Sequence, residues 1–121
     1  MDSMWIQFRR LLLGTVVEIL LEEGVQLEFP SLRIAFDKDS EFRVPRLDNY
    51  MRFKGELTAQ LTAIPAGLDQ GRLQRALEGA WPELLKVVDI PIGDRLTPDR
   101  NQIRASIEAS VLHVRFDLVA D

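Results

Sequence analysis

Between Tyr50 and Ile64 the apolar positions recur at every second residue. Met51, Phe53, Leu57, Ala59, Leu61 and Ala63 share one parity with Gly55, whereas Arg52, Lys54, Glu56, Thr58, Gln60 and Thr62 share the other. Successive side chains of a strand point to opposite faces, so the pattern predicts a half-buried β-strand with a mixed-charge outer face. At about 3.3 Å per residue this stretch would span about 50 Å, well beyond a typical strand. The length predicts that the strand outruns the body of its own domain.

Upstream, from Ser3 to Glu23, apolar residues recur at steps of three and four. Trp5, Phe8, Leu12, Thr15 or Val16, Ile19 and Leu20 define a helical stripe, and Leu11, Leu13, Val17 and Leu21 widen it. Arg9, Arg10, Glu18 and Glu22 supply most of the polar surface, and Gly24 is placed to end the helix. Such a helix suits a core, and its excess Leu and Val surface also suits a neighbouring subunit. Leu32, Ile34 and Phe36 then alternate as a strand behind Pro30, while Val25, Leu27 and Phe29 form either a strand of their own or an extended lead-in. Residues 37–49 are charged, with Phe42 and Val44 as isolated apolar groups, and are read as an exposed arm or hairpin extension of the sheet.

Pro65-Ala66-Gly67 stops the long strand, and Asp69 can cap a second helix. From Arg72 to about Val88, Leu73, Ala76, Leu77, Ala80, Trp81, Leu84 and Val88 hold one face, with Pro82 predicting a kink or restart near Ala80 and Trp81. Residues 89–94 break that helix, and Thr97-Pro98-Asp99 caps a short turn or closes a loop. Ile103, Ala105, Ile107, Ala109 and Val111 share one parity, then Leu112, Val114, Phe116 and Leu118 share the other. A long strand with a bulge near Ser110 to Leu112 accounts for the change of phase, unless an extra strand precedes the last. The expected fold is α+β in a single domain, residues 1–121: a mixed or antiparallel sheet of about four strands, two helices packed on one face, order α-β-β-(β)-α-β.

Composition narrows the functional classes. The 121 residues are 46% hydrophobic and 28% charged, an ordinary globular balance, with a net charge of −4 and scattered basic residues. That distribution argues against a chain-wide nucleic-acid surface. There are no cysteines, which excludes disulfides, thiolate metal sites and cysteine nucleophiles. Arg9-Arg10 before Leu11-Leu12-Leu13 superficially resembles a secretion signal, but Glu18, Glu22 and Glu23 interrupt the apolar run, so the expectation is a mature, soluble start with no membrane span.

Candidate chemistry is sparse. His113 is the sole histidine and sits in a strand beside Arg115 and Asp117, which reads as a surface or interface residue unless a deep pocket brings a carboxylate onto it. Gly67 and Gly71 lack the surroundings of a phosphate loop, and the carboxylates near 22–23, 37–41 and 94–99 lack calcium-loop spacing. No catalytic, cofactor or metal residue is assigned, and no enzymatic activity is expected. Arg43, Arg46, Arg52 and Lys54, interleaved with Phe42, Tyr50 and Phe53, form the most basic stretch, diluted by Asp39, Glu41 and Asp48. Complementary charges on an arm fit a protein interface better than nucleic acid. The subunit-interface candidates are Glu41, Phe42, Arg43, Arg46, Tyr50, Arg52, Lys54 and Glu56.

The order of elements resembles a known family. An N-terminal amphipathic helix precedes Phe29-Pro30-Ser31-Leu32-Arg33-Ile34 at the start of a strand. A charged extension and a long alternating strand follow, then a helix bearing Trp81, an Ile90-Pro91 segment and a terminal strand. This pattern is similar to the tail-terminator family of long-tailed bacteriophages, the lambda-type minor tail proteins. The resemblance implies a non-catalytic subunit of a homohexameric ring in the virion that caps the tail tube, stops its growth and joins the head or neck. Its implied partners are the tail tube protein and a head-completion protein, with DNA only as passing cargo in the lumen. The residues alone leave open another neck or tail-tube-associated protein, a non-catalytic adaptor gripping its partner through the first helix or a sheet edge, and a small enzyme or ligand-binding domain.

Overall fold

A computed structural model describes residues 2–37, 51–86 and 102–120, and these described residues form two helices and an antiparallel sheet of five strands. The α+β reading is therefore correct. Helix α1 covers Asp2–Glu22, the short strand β1 Gln26–Leu27, and β2 Arg33–Phe36, with a 3-10 turn at Phe29–Ser31 between them. Strand β3 is Met51–Ala63, helix α2 Gln70–Lys86, and β4 and β5 are Gln102–Glu108 and Val111–Ala120. Within the sheet β3 lies beside β5 and β5 beside β4, while β1 and β2 both pair with the other edge of β3.

The parity of β3 sorts the two faces. Gly55, Leu57, Ala59 and Leu61 are buried, and register sets Phe116, Val114 and Leu112 of β5 directly opposite the first three. Ile103, Ala105 and Ile107 of β4 continue the same face. Onto it α1 packs Phe8, Leu12, Val16 and Leu20, each at most 2% exposed, and α2 packs Leu73, Leu77, Trp81, Leu84 and Leu85. Steps of four along α1 keep those side chains on one stripe. Phe116 joins the layers: its ring stands edge-on to Phe8 at 5.6 Å and to Phe36 at 5.9 Å.

Local signals explain the element ends. Gly24 has φ +75, and the N–H groups of Gly24 and Val25 donate to the carbonyls of Leu21 and Leu20, the double closure that ends a helix in a left-handed residue. Asp69 Oδ1 accepts the Gly71 amide at 2.9 Å and caps α2. Helix α2 runs through Pro82 without the expected restart. Pro82 is exposed, so the carbonyl it displaces can turn toward water.

In the last third the structure selects the extra strand over the bulged one. The phase change near Ser110 is not a bulge in one strand but a hairpin: Glu108 pairs with Val111, and Ala109 and Ser110 form a two-residue turn with φ values of 50 and 62. Positive φ at both central residues matches the right-handed twist of the flanking strands. The turn is held from β3, where the Leu61 amide donates to the Ser110 carbonyl at 2.8 Å and Gln60 Nε2 donates to it at 3.2 Å. The proposed arm at 37–49 lies outside the described residues from 38 onward, as does the segment around 94–99.

Candidate assembly surface

With both helices on one face, the opposite face of the sheet carries Arg33, Lys54, Glu56, Thr58, Gln60, Arg104, His113, Arg115 and Asp117. These residues come from four strands and are neighbours only through register. Glu56 is the charge centre of this face. Its Oε1 lies 3.3 Å from His113 Nδ1 and its Oε2 3.4 Å from Arg115 Nε. Lys54 stands opposite Asp117, and Thr58 opposite His113. Cross-strand pairs of opposite charge stabilise an antiparallel sheet modestly and fix its register.

One pair breaks the pattern. Arg104 of β4 stands directly opposite Arg115 of β5, and like charges in register are unfavourable. Glu56 balances Arg115, whereas Arg104 is exposed and has no ion pair among the described residues.

The two edges of the sheet differ. Along β4, Gln74 of α2 behaves as a surrogate strand: its Nε2 donates to the Ile103 carbonyl at 2.9 Å and its Oε1 accepts the Ala105 amide at 2.7 Å. Gln70 Oε1 accepts the Ile107 amide at 3.4 Å. Side-chain amides thereby occupy backbone groups that a neighbouring strand would use, which protects the edge. A groove of about 800 Å³ runs beside it, lined by Gln74, Glu78, Trp81, Leu85, Ile103 and Arg104 among others. The Trp81 indole N–H is buried there with no partner among the described residues. Along the other edge, β2 pairs with β3 through Arg33 to Phe36.

At one end the described parts of β2 and β4 stop before those of β3 and β5. The last β4 contact pairs Gln102 with Asp117, and the β2 side ends where the Asp37 amide donates to the Lys54 carbonyl. Strands β3 and β5 continue together, pairing Met51 with Ala120, Arg52 with Val119 and Phe53 with Leu118. Among the described residues this leaves a two-stranded ribbon about 10 Å long at about 3.3 Å per residue.

The interface candidates divide accordingly. Lys54 and Glu56 lie on the outer face, and Arg52 lies in the ribbon by its backbone. Glu41, Phe42, Arg43, Arg46 and Tyr50 lie outside the described residues. A carboxylate does meet His113, but on the open outer face, and neither Glu56 nor His113 lines the groove beside β4. Among the described residues no cluster of three metal-binding side chains forms, and no helix is long and apolar enough to cross a membrane. Sequence spacing already set His113 beside Arg115 and Asp117 on a surface, but it missed Arg104 and Glu56 as neighbours of that group, because strand register, which sequence spacing does not encode, brings them together. Comparison with family models, curated proteins and solved structures finds no match.

Proposed function

We propose that the chain is a structural ring subunit of a phage tail: a tail terminator that caps the tail tube and joins it to the head or neck within the virion. The observation that carries the reading is the paired β3–β5 ribbon, which among the described residues extends past β2 and β4 at the end where the chain continues into residues 38–50. Leu118 anchors the ribbon in the core, while its two outer pairs lie beyond the described parts of the edge strands; such an extension is suited to reach a neighbour, and a repeated head-to-tail contact of this kind closes into a ring. Arg104 adds support, since an exposed, unbalanced charge in register with a like charge is suited to an acidic group from an adjacent subunit.

In this reading the subunit does no chemistry. It meets copies of itself, the tail tube protein below and a head-completion protein above, and DNA passes through the lumen without being bound. Sedimentation and negative-stain imaging of the purified chain at rising concentration, alone and with tail tubes, provide the test. Closed rings seated on tube ends are expected. Monomers under every condition would remove the reading's support.

A further inference from the structure

We propose that α1 carries a self-complementary face through which two copies of this chain pair antiparallel. Beside the stripe that enters the core, a second stripe runs through Ile6, Arg10, Leu13, Gly14, Val17 and Leu21. Ile6 is 49% and Leu21 59% exposed, while Leu13 and Val17 are half-buried at the margin of the core. Exposed apolar residues at both ends of one stripe, linked by half-buried ones, are not the scattered singles expected of a free surface.

The spacing along this stripe is palindromic. From Ile6 the steps are four, three, one, three and four, so the stripe maps onto itself when reversed. An antiparallel two-fold contact requires that property, because the same patch serves both partners. With the axis between Leu13 and Gly14, each Ile6 lies level with the second copy's Leu21, and each Arg10 with its Val17. Gly14 falls at the crossing. An interior glycine weakens a helix, and nothing among the described residues calls for it: a Cβ there would meet no atom of theirs within 4 Å. A second backbone approaching closely at that point supplies the reason.

Charge selects the direction. Arg10 lies within the stripe and Glu18 on its flank, both are exposed, and neither has an ion pair among the described residues. Antiparallel pairing sets Arg10 of each copy near Glu18 of the other, whereas parallel pairing sets like against like. Such a contact closes at two copies, so it is separate from the head-to-tail contact of a ring and does not depend on the ring reading.

Analytical ultracentrifugation of the full chain tests it, with circular dichroism confirming that every variant folds. The wild type is expected to show a concentration-dependent dimer, and Arg10→Glu and Glu18→Arg are each expected to weaken it about tenfold. The double charge swap should restore the dimer, and Gly14→Leu should abolish it. A wild type that stays monomeric, a dimer indifferent to both single reversals, or a swap that restores nothing overturns the proposal. Rings unaffected by these variants, with no swap-sensitive dimer, would leave the ring reading standing while this pairing falls. Swap-sensitive dimers without rings would do the reverse.

Discussion

Gly55 sits in the middle of β3 on the buried face, directly opposite Phe116. General strand preference says that alanine should be better there by about 0.5–1 kcal/mol, because glycine loses more backbone freedom and packs nothing. The surroundings say the opposite. A Cβ at Gly55 would lie 2.5 Å from Phe116 Cζ, 3.0 Å from Cε2 and 2.8 Å from the Ala35 carbonyl oxygen. The ring cannot simply swing away, since Phe8 and Phe36 both pack edge-on against it. Nor can the Ala35 oxygen retreat without disturbing the pairing of β2 with β3. Overpacking of this kind costs about 1–3 kcal/mol, and contact with backbone as well as a clamped ring places Gly55→Ala toward the upper end. After subtracting the propensity gain, a net loss of about 2 kcal/mol remains. Urea denaturation followed by circular dichroism should show the midpoint falling by about 1 M with an unchanged slope. Gly55→Ala combined with Phe116→Leu should lose less than the sum of the single losses, because the smaller side chain removes part of the clash. A Gly55→Ala variant as stable as the wild type, or more so, would refute the placement of the Phe116 ring over this glycine.

Further outcomes follow from the hairpin, the edge and the outer face. Replacing Ala109-Ser110 by Asn-Gly should raise stability by about 1–2 kcal/mol in the same denaturation assay, since both positions have φ values that non-glycine residues adopt at a cost; no gain would contradict the left-handed turn. Gln74→Ala should lose about 1–2 kcal/mol by leaving the Ile103 carbonyl and Ala105 amide without their clamp. The same variant should aggregate faster by light scattering, because the β4 edge is opened; unchanged stability and scattering would dismiss the edge-protecting role. Glu56→Gln should change monomer stability by less than about 1 kcal/mol, as its contacts with His113 and Arg115 are partly solvated. A larger loss would mean that Glu56 is part of the structural framework rather than the surface.

Much of the fold is legible because single residues carry strong local signals. The alternation of β3 separates Leu57, Ala59 and Leu61 from Lys54, Glu56 and Thr58, and the folded chain buries the first group and leaves the second on the outer face. Gly24 ends α1 and Asp69 starts α2 by ordinary capping chemistry. The β4–β5 turn is obscure in sequence because Ala-Ser has no left-handed preference of its own. Hydrogen bonds from Leu61 and Gln60 to the Ser110 carbonyl, arriving from a strand far away in the chain, hold it instead. Gln74 is similarly ambiguous: helical spacing places it away from the core stripe, and only the packing of α2 against β4 turns it into an edge clamp. The outer face was legible as a face, but the meeting of Glu56 with His113 and Arg115 depends on register between strands more than 50 residues apart in sequence.

The proposal at the centre of this account is that the subunit forms a ring through contacts at its β3–β5 ribbon and outer sheet face. Native mass spectrometry paired with negative-stain imaging addresses it most directly, on the wild type and on Arg104→Glu, a substitution at an exposed position that should leave the fold intact. The wild type should give a closed hexamer, alone or on tail tubes, and Arg104→Glu should shift the mass distribution to smaller species. Monomers or α1-paired dimers as the only wild-type species, with or without tubes, would contradict the claim.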